Sequence, residues 1–327
     1  MITNSGLDIR NLTTQFLTRK GVVQAVTNVS VSVRRGETVA VVGESGSGKS
    51  VTALSAMRLV PSRQSRIVEG KVLLDGVDLL ALSERDMRSV RGKKLSMIFQ
   101  EPMTSLNPVH RIGDQIAEVV LAHEALSRRS AWRRGRDLLH LLRIPEPDRV
   151  LDEYPHRLSG GMRQRVMIAI AVAEKPIVLI ADEPTTALDV TIQAQIIDLL
   201  DGLRREFGMG LMLITHDLGV VAEVADRVVV MYSGRKVEEA DVEEFFRDPK
   251  HPYSRGLLAA SLRVDRGGNY REGPLVEIPG MVPSLLDLPQ GCPFADRCPR
   301  VLNQCRSEMP NFVESGGRGV ACFVADL

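Results

Sequence analysis

The residues able to do chemistry fall in three runs of this 327-residue chain. Gly43-Glu44-Ser45-Gly46-Ser47-Gly48-Lys49-Ser50 fits G-x-x-x-x-G-K-[ST] without a mismatch. Its glycines let the backbone wrap onto phosphate oxygens with successive N–H groups turned inward. A helix beginning near Lys49 adds its positive dipole end. Lys49 would reach the β- and γ-phosphates, and the Ser50 hydroxyl would ligate Mg²⁺. An ordinary Gly/Ser turn is the bland alternative, but an apolar strand precedes this loop and a helical pattern follows it. The second run, Val178-Leu179-Ile180-Ala181-Asp182-Glu183, is an apolar strand ending in two carboxylates. That places Asp182 at the carboxyl edge of a sheet, beside the phosphate loop, where it can hold Mg²⁺ through water. Glu183, one residue on, can polarise an attacking water as general base. The third run, Leu158-Ser159-Gly160-Gly161-Met162, makes another anion-binding helix start: free N–H groups, a hydroxyl and a dipole. A bare helix cap is its plain reading. Two phosphate-binding starts in one chain are better explained if each serves a different nucleotide, which requires a dimer.

These runs need a sheet to carry them. Short β-branched segments at Val29–Val33 and Thr38–Val42 flank the turn Arg34-Arg35-Gly36-Glu37. A helix is expected from Lys49 to about Leu59, a strand pair around Gly70–Leu74, and a strand at Leu95–Phe99. Residues from about 110 to 174 read as helical with Arg-rich faces. Strands return at Ile177–Ala181, Leu211–Thr215 and Arg227–Tyr232, alternating with helices such as Val190–Glu206. This alternation predicts an α/β fold with a mostly parallel sheet covered on both faces. Beyond about 250 the composition shifts to Pro, Gly and Cys with little periodicity, so a boundary is placed there.

Composition narrows the classes. Lys+Arg 42 against Asp+Glu 41 leaves a net charge of +1, without the basic excess of a nucleic-acid binder, and aromatics are only 4%. The longest apolar run, Val166–Ala173, is far short of the ~20 residues that span a bilayer. Met1–Asn11 is polar and carries Asp8, unlike a secretory signal. A cytosolic chain that meets the membrane through a partner is expected.

With its motifs in this order and spacing, the chain resembles the ATP-binding subunits of ABC transporters over about residues 7–250. The resemblance implies a P-loop NTPase fold with a RecA-like core, an antiparallel β subdomain and an α-helical signature subdomain at about 101–175. A small Cys-rich C-terminal domain would follow at 251–327. It also implies that Gln100, after Met97-Ile98-Phe99, touches Mg²⁺ and senses the membrane subunit. Ser159–Met162 would be the signature, Asp189 in Ala187-Leu188-Asp189 the D-loop, and His216 the switch histidine. Phe16 looks like the adenine-stacking aromatic, and Val51 joins the loop residues at the nucleotide. Two cassettes would close head to tail around two ATP molecules. Each γ-phosphate would be clamped by one loop and by the other subunit's Ser159-Gly160-Gly161, with Glu183 orienting water and His216 holding γ-phosphate and Glu183 in register.

Gln100–Pro108, Tyr154–Leu158, His251-Pro252-Tyr253, Ile278–Pro283 and Gly291-Cys292-Pro293 resemble the oligopeptide/dipeptide importer branch. That implies a peripheral subunit on the cytoplasmic face of the plasma (inner) membrane. Its partners would be a second, related ATPase chain, two permease subunits and an extracytoplasmic binding protein, with no nucleic acid. An importer of nickel, glutathione or another small solute is the alternative. A soluble repair ATPase would carry long coiled-coil insertions, a translation factor two cassettes, and an exporter fused membrane helices; none is present. Arg128, Arg129, Arg133, Arg134 and Arg136 read as a solvated helix face more than as a lipid or partner contact.

Four cysteines, Cys292, Cys298, Cys305 and Cys322, follow 291 residues that contain none. The spacing C-x₅-C-x₆-C-x₁₆-C matches neither zinc knuckles nor ferredoxins, so spacing leaves the metal open. Thiolates without histidine suit a soft centre, and a reducing cytosol disfavours disulfides. The resemblance to the peptide-importer tail, where such cysteines hold a cluster, implies 4Fe–4S.

Overall fold

The computed structural model describes residues 6–100, 105–186, 188–265 and 277–325. Sequence readings on Met1–Ser5, on Glu101–Thr104 within Gln100–Pro108, and on Ala187 lie outside the described residues. The chain divides into two compact units: Met1–Leu7, Val33–Glu37 and Leu74–Leu213 in the first, and Asp8–Ser32, Thr38–Leu73 and Ile214–Leu327 in the second. Its strands are β1 (Gly6–Thr18), β2 (Gly21–Arg34), β3 (Thr38–Val42), β4 (Ser65–Leu74), β5 (Val77–Asp78), β6 (Leu95–Ile98), β7 (Val178–Asp182), β8 (Gly210–Ile214), β9 (Arg227–Tyr232), β10 (Arg235–Asp241), β11 (Val313–Ser315) and β12 (Arg318–Val320). None of the described helices is long and apolar enough to cross a membrane.

In the first unit β6 and β7 run parallel, Leu95 opposite Val178 through Ile98 opposite Ala181. Every residue of β7 and β8 is buried, as expected of strands covered on both faces. The helical stretch is broken into Ile112–His123, Arg128–Leu141, Pro147–Asp152 and Gly160–Val172. Arg143 and Glu146 in left-handed conformation and Pro147 at a helix start make one break. The arginine face is not uniformly solvated. Arg134 donates to Glu124 at 2.7 Å and to the Ala173 carbonyl at 2.7 Å, tying its helix to the C-terminal ends of two others.

In the second unit β2, β1 and β4 are neighbours in that order. β1 and β2 have 13 and 14 residues, much longer than the short segments read from the sequence. The helix after the phosphate loop spans Lys49–Ala56 and stops short of Leu59, because Arg58 turns left-handed. β3 pairs parallel with β9, and β10 returns antiparallel to β9. Past residue 250 the structure is more regular than the composition suggested. A helix spans Pro252–Asp265, and β12 pairs antiparallel with β10 while β11 pairs with β12. Strands of three residues carry no readable alternation, so only the structure reveals them.

The C-terminal part packs on the sheet through aromatic rings. Tyr232 of β9 lies 4.6 Å from Tyr253 and 5.3 Å, edge-on, from Phe294. Glu238 of β10 is fully buried and accepts from the Lys250 and His251 amides at 2.7 and 2.8 Å and from Arg318 at 3.0 Å. A buried carboxylate is tolerable only with such a set of donors.

Candidate active site

In the second unit the Gly43–Ser50 loop joins β3 to the helix Lys49–Ala56, the strand-loop-helix context its motif needs. Gly48 has φ +99°, and a Cβ there would stand 2.7 Å from the Ala25 carbonyl, so only glycine fits. Lys49 is 6% exposed. Its Nζ folds back to donate to the carbonyls of Gly43 at 2.7 Å and Glu44 at 3.0 Å, and to Ser47 Oγ at 3.3 Å. The Ser47 carbonyl accepts from the Gly234 amide at 2.9 Å, which braces the loop. A glycine-lined backbone cradle, a lysine above it and a Ser50 hydroxyl at the helix start fit a nucleotide phosphate with Mg²⁺. Phe16 is half-buried on β1. His216 is exposed just after β8 and before Asp217, whose carboxylate caps the helix Leu218–Val224.

The first unit holds the carboxylates. Asp182 is the last residue of β7 and 4% exposed. Glu183 follows with φ 46°, a left-handed backbone that is costly for a side-chain-bearing residue and characteristic of sites that need a fixed aim. Gln100 Nε2 and Thr186 Oγ1 each donate to Glu183 Oε2 at 2.9 Å. The sequence pattern points to Glu183 and Gln100 but not to their contact, and it misses Thr186. A threonine three residues past the glutamate is the available signal. Ser159 caps the helix Gly160–Val172, its Oγ accepting from the Met162 amide at 3.3 Å. Gly160 is exposed and Gly161 buried, where a Cβ would press Ile192 at 3.1 Å. Asp189 caps the next helix, Val190–Phe207, accepting from the Ile192 amide at 3.0 Å.

Two family models match the chain: the ABC transporter domain over residues 26–186, and the C-terminal region of oligopeptide/dipeptide transporters over 237–305. A probable peptide ABC transporter ATP-binding protein of Sinorhizobium fredii is 52% identical over 97% of this chain and 94% of that protein. The chain belongs to the ATP-binding subunits of ABC transporters, in the oligopeptide/dipeptide branch. The oligopeptide transport ATP-binding protein AppD of Bacillus subtilis is 49% identical, covering 97% of this chain and 96% of its own. The dipeptide transport ATP-binding protein DppD of the same organism is 47% identical, covering 98% and 95%. The solved structure of a dimeric ATP-binding cassette bound to ADP and Pi superposes with TM-score 0.65 at 28% identity, over 72% of this chain and 98% of that one. An ABC subunit, CbiO1 of Clostridium perfringens, gives 0.63 at 25% identity over 81% and 98%. The α/β fold is thus that of an ABC ATPase, and this ABC subunit is an ATPase.

The four cysteines of the ABC subunit's C-terminal region are free thiols. They line one small cavity together with His251, Phe294 and Phe323. Gly291 lies against the Cys305 carbonyl, where no Cβ fits, and the Cys292 amide donates to that carbonyl at 2.8 Å. Burial pushes the Cys292 thiol up to about 11 and raises those of Cys298 and Cys322. Among the described residues no group of three or more His, Cys, Asp or Glu side chains is arranged to hold a metal ion. A metal at these thiols would require them to lose their protons.

Proposed function

We propose that this chain is the subunit whose ATP hydrolysis powers uptake of di- or oligopeptides through a membrane ABC importer. One observation carries the reading: the ABC domain and the oligopeptide/dipeptide C-terminal region match on a single chain. The partners are a second, related ATP-binding chain, two membrane-spanning permease subunits and an extracytoplasmic solute-binding protein. The subunit sits peripherally on the cytoplasmic face of the plasma (inner) membrane.

In this mechanism Lys49 and the inward N–H groups of the Gly43–Ser50 loop bind the phosphates, with Val51 beside them and Phe16 stacking on adenine. Ser50, Asp182 and Gln100 would hold Mg²⁺, which would supply neutralisation of phosphate charge. Glu183, aimed by Gln100 and Thr186, orients the attacking water and takes its proton. His216 contacts the γ-phosphate. Ser159, Gly160, Gly161 and Asp189 act on the nucleotide of the partner subunit, so ATP closes the dimer and hydrolysis reopens it. The catalysis is positioning and charge neutralisation.

Uptake in proteoliposomes holding all the subunits tests the reading. ATP-dependent uptake of peptide is expected, and uptake of nickel or glutathione without peptide would overturn the substrate class. In that assay Gln100→Ala is expected to leave ATP binding largely intact while peptide moved per ATP falls roughly tenfold. Equal loss of binding and transport would reduce Gln100 to a structural residue.

We also propose that Cys292, Cys298, Cys305 and Cys322 hold a 4Fe–4S cluster with a structural role. Support comes from the donor set, four thiols around one cavity with no disulfide. Anaerobically purified protein should be brown, absorb near ~400 nm and contain about four irons per chain. Cys298→Ser should bleach the colour. Stoichiometric zinc, or a metal-free chain, would overturn this.

A further inference from the structure

Glu44, second residue of the phosphate loop, is gripped from the C-terminal region. Arg297 ends the short turn Ala295–Arg297 next to Cys298, with its side chain 5% exposed. Its Nη1 donates to Glu44 Oε2 at 2.6 Å and its Nη2 to Glu44 Oε1 at 3.0 Å, a two-pronged pair. The other donors are also used: Nε to the Pro279 carbonyl at 2.9 Å, Nη2 to the Ile278 carbonyl at 3.2 Å, and Nη1 to Tyr232 Oη at 3.3 Å. Tyr253 adds a hold on the backbone, its Oη accepting from the Glu44 amide at 2.7 Å. Both the side chain and the amide of Glu44 are thereby tied to residues more than 200 positions away.

Two physical consequences follow. The Glu44 carbonyl is one of the acceptors on which Lys49 rests, so fixing Glu44 fixes the position of Lys49. A carboxylate in a loop that receives polyanionic phosphate is also electrostatically adverse, and the guanidinium cancels its charge.

We infer that Arg297 is a positioning residue of the nucleotide site, which sets and neutralises the start of the phosphate loop through Glu44 and makes the C-terminal region part of ATP binding. The inference rests on the reading of Gly43–Ser50 as the phosphate loop.

The test is calorimetric binding of Mg–ADP and of a non-hydrolysable Mg–ATP analogue to the full chain, alongside melting temperature without nucleotide. Arg297→Gln is expected to weaken binding roughly tenfold, by leaving the Glu44 carboxylate unpaired in the loop. Glu44→Gln should weaken it less. The double variant should bind better than Arg297→Gln alone, because no orphaned charge remains; a pure staple would not show this recovery. Arg297→Lys, which keeps the charge but not the fork, should fall between. Native affinity in Arg297→Gln with a lowered melting temperature would overturn the inference, as would simple additivity in the double variant. If Arg297→Gln fails to fold, Arg297→Lys and the double variant decide the matter: native affinity in both means no positioning role. Lys49→Ala serves as control. If it binds normally, the phosphate-loop reading itself is wrong and the inference falls with it. If it loses binding while Arg297→Gln does not, the inference alone is wrong.

Discussion

Glu183→Gln is expected to bind ATP and keep it, with turnover reduced by roughly 10²–10⁴-fold. The reason is geometric. Gln100 Nε2 and Thr186 Oγ1 both donate to Glu183 Oε2, and the carbonyl oxygen of a glutamine can accept the same two bonds. The replacement is isosteric, and the left-handed backbone at this position is no harder for Gln than for Glu. Only the basicity is removed. Binding, which relies on the phosphate loop, should be unchanged, and the nucleotide-bound dimer should accumulate on size exclusion. Hydrolysis at the native rate would show that Glu183 is not the group that takes the proton.

Lys49→Ala should fail earlier, at binding. It removes a charge-assisted contact to phosphate, typically about 1.5–3 kcal/mol, so affinity should drop by roughly 10–100-fold. It also removes the clasp across Gly43, Glu44 and Ser47 that holds the loop closed on itself. The two variants thus separate: for Lys49→Ala the dissociation constant rises and turnover falls, while for Glu183→Gln only turnover falls. Equilibrium binding measured beside steady-state ATPase resolves them. Native affinity in Lys49→Ala would remove the lysine from the phosphate site.

What the sequence makes legible is the chemistry that depends on local spacing. Thr38–Val42 and Arg227–Tyr232 are strands with the bounds expected from their apolar runs, and β7 and β8 are displaced by a single residue. A fully buried strand announces itself, because nearly all of its positions are apolar, with polar residues such as Thr38 and Asp182 at the ends. Contacts made across long stretches of chain do not. The pairing of Arg297 with Glu44 spans 253 positions, and nothing local marks either residue as the other's partner. The backbone of Glu183 is equally silent, since glutamate has no preference for a left-handed conformation and is held there by its surroundings. The length of β1 and β2 is hidden for a third reason: their burial patterns mix exposed and buried positions irregularly, so only the β-branched parts stand out. Thr186 is within reach, three residues from a named carboxylate, and its hydroxyl is the kind of donor a half-buried acid can use.

The join between β10 and β12 has a practical side. A chain cut after residue 250 still contains every nucleotide motif, and on paper it is a finished cassette. The contacts of β10 argue against it. Glu238 would lose Arg318 and the His251 amide, two of the donors that hold its carboxylate in place. The outer rim of β10 would lose β12 and present bare backbone N–H and C=O groups, the template on which chains stack into aggregates. Shortening this protein to its first 250 residues should therefore yield inclusion bodies rather than a minimal motor.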